Sequence, residues 1–374
     1  MRNRLQRRFL RTCLCCNSYS SDPVSMNRRT VLSGMAAVGL GMSASFMARA
    51  APALAETTPA AKLPLIDVHH HIVPPFYLAE NRDRIAGSRG GQISPAWLQW
   101  EPQKALDAMD KHGVETAVLS LSSPGVWFGD QQGARRTARQ CNEYAAELAR
   151  SHPGRFGLFS VVPLPDIDGS LREIEYALDV LKADGIGVLT SYGDKWLGDP
   201  AYLPVFEELN QRKAVVFVHP TTPLCCRTLL ADVAPLVAEV PQDTTRAVTN
   251  LLFTGTLSRF KDIRFIFTHA GGTVPMVVGR MHLLGPKNIA EKAPNGIEYE
   301  LKRLYYDIAG TAYRPAMAAL TSLVSTSQIL FGSDNPYVPL GETAEGMSRL
   351  GLSVADLQAI GRNNALALLP RLVR

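Results

Sequence analysis

The chain is poor in the groups that announce chemistry at a glance. It has eight histidines and six cysteines in 374 residues. Cys13, Cys15 and Cys16 fall within the first 25 positions, which leaves Cys141, Cys225 and Cys226. So small and odd a number does not make a disulfide framework. A Gly-x-Ser-x-Gly elbow and a phosphate-cradling glycine loop are both absent, so neither a serine triad nor a Walker-type nucleotide site is indicated. Repeats, heptads and low-complexity tracts are missing from the region after residue 55.

Nor is there a real excess of basic charge. The formal net charge is +5, but the first 55 residues hold eight Lys/Arg and one Asp. The remainder has 31 basic and 33 acidic residues, a net charge near −2. That balance gives no argument for binding nucleic acid or a membrane surface. The leader reads as an export signal. Asn27-Arg28-Arg29-Thr30-Val31-Leu32 is a twin-arginine pattern, residues 31–48 are uncharged, and Ala53-Leu54-Ala55 is a small-residue cleavage signature. The uncharged stretch is rich in Gly, Ser and Ala and is a weak membrane anchor. A periplasmic product with no stable membrane insertion after cleavage is expected, with a cytoplasmic one as the alternative. Met26 is a plausible true start, with residues 1–25 a mis-assigned extension. Residues 56–374 are long enough for one large domain with a full core.

What the chain does have is concentrated. Pro64-Leu65-Ile66-Asp67-Val68 runs into His69-His70-His71. In an extended strand side chains alternate, so His69 and His71 share one face and His70 takes the other. Three more apolar runs end in polar residues: 214–218 before His219-Pro220, 263–268 before His269-Ala270-Gly271-Gly272, and 328–331 before Gly332-Ser333-Asp334. Strands are expected near 65–68, 116–121, 157–162, 186–190, 214–218, 263–268, 304–308 and 328–331. Helical periodicity is expected at 135–150, 170–182, 202–212, 244–259 and 273–281, with Asp168 or Ser170 capping the second. Eight alternating βα units predict a (β/α)8 TIM barrel, whose active site lies at the C-terminal rim of the strands. A doubly wound sheet would need a glycine-rich turn where His-His-His stands. Imidazoles and a carboxylate converging on that rim suit a borderline divalent metal, Zn²⁺ first, with Mn²⁺ or Fe²⁺ as alternatives.

Asp67-Val68-His69-His70-His71, Val218-His219-Pro220, Thr268-His269-Ala270-Gly271-Gly272 and Gly332-Ser333-Asp334-Asn335-Pro336 resemble the motifs of the amidohydrolase superfamily, in its aminocarboxymuconate semialdehyde decarboxylase branch. Cys141-Asn142-Glu143-Tyr144-Ala145 and Ala183-Asp184-Gly185-Ile186 add a similarity to the 6-methylsalicylate decarboxylases. The resemblance implies that His69, His71, His219 and Asp334 are metal ligands and that His269 and Asp334 handle protons. Binuclear members carry a bridging lysine on the fourth strand; this one has none, which implies a single metal. The activity implied is non-oxidative decarboxylation of a hydroxybenzoate-like acid. A mononuclear hydrolase, such as a lactonase acting on a ring-cleavage product, is the alternative, and a non-catalytic metal-binding protein a third class.

Substrate residues are less sharply drawn. Arg280 matches an arginine of the family and either binds a carboxylate or makes a surface ion pair. A second family arginine is replaced by Pro286-Lys287-Asn288, which weakens a dicarboxylate substrate. Tyr192 and Trp196, past the fourth strand, either wall an aromatic ring or pack. Trp97, Trp100 and Trp127 read as packing; His112, His152 and His282 as helix-end, turn and helix-flank residues. A homodimer is expected.

Overall fold

The computed structural model describes residues 64–88, 93–223, 226 and 233–372. The leader, its cleavage site and Cys225 lie outside them. Eight strands form one parallel sheet: β1 (Leu65–Ile72), β2 (Val114–Leu121), β3 (Phe156–Val161), β4 (Gly185–Leu189), β5 (Val215–His219), β6 (Arg264–Phe267), β7 (Tyr305–Asp307) and β8 (Ile329–Leu330). Each pairs with its neighbour in chain order. The ring closes from β8 back to β1. Val68 N–H donates to Phe331 O at 3.0 Å, and a parallel bridge joins His70 to Asn335. This is the TIM-barrel architecture the alternating pattern predicts.

The strands are near-continuous apolar runs because both faces are covered. Alternate residues serve two cores. Ile66, Val68, Val118, Phe159, Val215, Phe217, Ile266 and Leu330 form one cluster, joined by Ala365, Leu368 and Leu369 near the chain's end. Their neighbours Val216, Val218, Phe265 and Phe267 belong to a larger cluster shared with helix residues.

The helices depart from the periodicity in two instructive places. The second predicted helix starts three residues earlier, as Ile167–Glu175, and its cap is Asp166 rather than Asp168 or Ser170. The Asp166 carboxylate accepts the Gly169 N–H at 3.1 Å and an ion pair from Arg135. The fourth runs over Pro235–Thr254, nine residues upstream of its predicted start, with Pro241 inside it. An internal proline is disfavoured by propensity, yet buried Val240, Thr244, Ala247, Val248 and Leu251 hold the helix on the barrel. It stops at Gly255, φ 80°, a left-handed cap that splits off Thr256–Arg259.

Candidate metal centre

Two strands and the turns after two others deliver the histidines and the aspartate to one rim. His69 and His71 come from β1, and His219 is the last residue of β5. His269 follows β6 in a short turn, and Asp334 follows β8. One ligand atom each from His69, His71, His219 and Asp334 falls within 4.8 Å of the others. His69 Nε2 lies 3.1 Å from His71 Nε2. Asp334 Oδ1 lies 3.0 Å from His71 Nε2 and 3.3 Å from His69 Nε2. All four are buried. His269 Nε2 stands 3.4 Å from the other oxygen, Asp334 Oδ2.

The other ring nitrogens explain why the ε-nitrogens converge. His69 Nδ1 donates to Asp307 Oδ2 at 3.0 Å, and His219 Nδ1 to Pro220 O at 2.8 Å. His71 Nδ1 meets Ser120 Oγ at 3.0 Å. A donor at Nδ1 leaves a lone pair at Nε2, the arrangement metal-ligating histidines adopt. His219 Nε2 is buried with no hydrogen-bond partner among the described residues. Burial pushes His71 down to about 4 and His219 well below the usual imidazole range, so both are neutral. Burial opposes charge on His69 too, but Asp307 and Asp334 outweigh it and raise its pKa to about 10. Asp334 is held well below the usual carboxylate range; burial opposes this, and His69 and His269 overcome it. The cluster therefore draws positive charge to one point between facing lone pairs and a carboxylate. A divalent cation meets that demand, and the donor set fits one.

Asp307 escaped the sequence reading. It ends β7, a strand whose end carries no histidine. Besides holding His69, its Oδ1 accepts His269 N–H at 3.1 Å and Ala309 N–H at 3.0 Å. A carboxylate at the end of a predicted strand was the available signal. Gly332 lets these groups close in: a Cβ there would sit 2.8 Å from His69 Cβ and 3.0 Å from Asp307 Cβ. His269, Ala270 and Asp334 have φ of 55°, 56° and 63°, left-handed strain stored at the site.

His70 does point away from the cluster, as alternation predicts. A bulge between Asp67 and His70 nevertheless brings those two side chains together at 3.0 Å, a contact strict alternation denies. Asp67 also accepts Ser333 N–H at 2.9 Å, and His70 Nε2 meets Asn335 Nδ2 at 3.0 Å. This buried network ties β1 to the loop that carries Asp334.

The substrate candidates occupy different settings. Tyr192 is buried against Tyr202, and its hydroxyl accepts the N–H of Leu189 at the end of β4 at 2.9 Å. Trp196 is half-buried in a two-residue hairpin with Ser191 at the rim. Arg280 is exposed on the helix Val274–Leu284. The aromatic ring beside the cluster is instead Tyr337, edge-on to His71 with ring centroids 5.6 Å apart. Trp97, read as packing, is buried at 5.9 Å from Tyr337 and backs it. Phe217 lies against His69 at 5.1 Å.

Barrel and rim together define a (β/α)8 protein with a buried His/Asp cluster that could hold a metal ion. The amidohydrolase family profile matches residues 66–371, and the chain belongs to that family. It is 37% identical over 328 residues to the decarboxylase yanB of Aspergillus niger, spanning 82% of this chain and 87% of that one. It is 34% identical over 328 residues to the 6-methylsalicylic acid decarboxylase acuB of Aspergillus aculeatus, spanning 83% and 97%. A solved dihydroxybenzoic acid decarboxylase from Polaromonas sp. JS666, with bound manganese and the inhibitor 2-nitroresorcinol, shares the fold. Its TM-score is 0.70 over 82% of this chain and 97% of that one, at 21% identity.

Proposed function

We propose that the protein is a carboxy-lyase that removes CO₂ without oxidation from an ortho-hydroxybenzoate such as 6-methylsalicylate. The pairing of His269 with Asp334 at the edge of the ligand cluster carries this reading, in a chain whose relatives are decarboxylases. His69, His71, His219 and Asp334 hold one divalent ion, zinc by donor set, with manganese the alternative carried by a related fold. Bound there, the ion supplies Lewis acidity and a template for neighbouring substrate oxygens.

The chain's own groups then move one proton. Asp334, flanked by imidazoles, is ionised at rest. It is a donor only after His269 Nε2 passes a proton to Oδ2 across their 3.4 Å contact. That proton goes to the ring carbon bearing the carboxylate. The carbon–carboxylate bond breaks, its electron pair restores the ring, and CO₂ leaves. Asp307 keeps His69 oriented and holds the His269 backbone throughout. Buried Phe217 and half-buried Tyr337 present apolar faces that exclude water beside the cluster. Trp196 and Arg280, nearer the exterior, are secondary candidates for substrate contact.

The test is a panel of salicylates, resorcylates and lactones given to metal-loaded protein, with elemental analysis of the same sample. Stoichiometric CO₂ and phenol are expected from 6-methylsalicylate or a close analogue, with about one metal per chain. Lactone opening with no CO₂ from any hydroxybenzoate would sink the reading in favour of a hydrolase.

Export by the twin-arginine route and a homodimeric state complete the proposal. The Arg28-Arg29 pair supports the first. Exposed Met276, Leu283 and Leu284 on the helix Val274–Leu284 support the second, as apolar surface a second copy would cover.

A further inference from the structure

Behind His219 lies a fully buried carboxylate that the proton pathway does not use. Asp243 sits on the inner face of the helix Pro235–Thr254 and is 0% exposed. Its Oδ2 accepts the Thr190 hydroxyl in a short hydrogen bond and the Thr221 N–H at 2.8 Å. Thr190, just past β4, donates its own N–H to His219 O at 3.0 Å. Thr190 Oγ1 is also 3.2 Å from Thr221 N. Asp243 is thus bonded to the backbone just after His219 and to the side chain of the residue whose N–H holds His219 O.

The covalent geometry gives this arrangement a consequence. Pro220 C=O and Thr221 N–H belong to one planar peptide group. Its oxygen accepts His219 Nδ1–H at 2.8 Å and so orients the imidazole. Its N–H is held by Asp243. Fixing one end of a rigid plane fixes the other. We propose that Asp243 is a positioning residue for His219, clamping the Pro220–Thr221 peptide so that His219 Nε2 points at the ion. The inference rests on His219 being a metal ligand.

Burial of this carboxylate disfavours its charged form and pushes its pKa up to about 6. A buried charge is a weak source of stability. A purely structural Asp243 and a positioning one therefore differ in what their removal changes.

The experiment measures Zn²⁺ affinity of the metal-stripped full chain by competition with a chromophoric chelator, beside its urea unfolding. Asp243→Asn can turn its amide oxygen to the same two donors and should bind zinc within about threefold of wild type. Asp243→Ala loses both bonds and should bind about 10- to 100-fold more weakly. Asp243→Leu, which also cannot accept the Thr221 N–H and refills the buried volume, should weaken binding likewise and serves where Asp243→Ala does not fold. Wild-type affinity in Asp243→Ala, or in Asp243→Leu where that variant carries the test, overturns the clamp. So does an equal loss in Asp243→Asn and Asp243→Ala, which would assign the effect to charge. His219→Ala is the reference. If it binds zinc as wild type does, the ligand assignment itself fails, whatever the Asp243 variants do.

Discussion

At the scale of single residues, His269 and Asp334 are neighbours with separable duties. Asp334 Oδ1 faces the cluster and Oδ2 faces His269. Removing a ligand should strip the ion; removing a proton carrier should leave it. His269→Ala is expected to keep its metal and lose turnover by about 10²- to 10⁴-fold, the range for one general acid–base group. Asp334→Asn keeps an oxygen near the ion but cannot carry the proton. It should bind metal and substrate analogue yet barely release CO₂. Metal content and CO₂ release measured on the same preparations check both variants. Near-normal decarboxylation by metal-replete Asp334→Asn would leave Asp334 as a ligand alone and make His269 the direct donor. Asp307 belongs at this scale too. Its three hydrogen bonds reach β1 and the turns after β6 and β7, so one side chain sets the spacing of groups far apart in sequence.

At the scale of elements, the caps and loops set the register that aims the rim. Asp166 shows how. It caps Ile167–Glu175 and pairs with Arg135 on the neighbouring helix Gln131–Ser151. The Arg135 hydrogen bond, opposed by burial, holds its pKa down at about 2 against an ordinary 3.8. A carboxylate lowered on folding contributes stability above its unfolded value and loses it as the pH falls through the folded value. Asp166→Ala should therefore cost about 1–2 kcal/mol near neutral pH, a modest sum because Arg135 is partly solvated. The gap to wild type should close between about pH 4 and pH 2. Urea midpoints of the two proteins across that range check it; a gap that stays constant would remove the ion pair from the account and leave only helix propensity.

At the scale of the whole molecule, the proposal separates a leader from a barrel. Among the described residues no helix is long and apolar enough to cross a membrane. The family match begins at residue 66, beyond the Ala53-Leu54-Ala55 signature. Mass spectrometry of exported material should give a chain beginning at Glu56. A full-length cytoplasmic product would remove the periplasmic assignment and leave the barrel's chemistry untouched. Export of a folded chain suits a site whose ligands come from β1 and from the end of β8, since these meet only once the ring is closed.

The sequence by itself determined the eight strands and the rim they share. Four of these strands are apolar runs ended by the histidines and the aspartate, and period-two alternation sorted His69 and His71 from His70 without coordinates. It determined little of what holds those histidines. The bulge that joins Asp67 to His70, the Asp307 bond to His69 and the Asp243 clamp on the Pro220–Thr221 peptide link residues 3, 238 and 22 positions apart. The early start of Pro235–Thr254 and the Asp166 cap were hidden for a related reason. Local propensity placed the one helix after Pro241 and the other's cap inside Ile167–Glu175, while tertiary contacts decided otherwise. Periodicity is a property of neighbouring residues and survives in one dimension. Hydrogen bonds between side chains of different βα units exist only after the barrel closes, so the tertiary structure alone decided how the ligands are aimed.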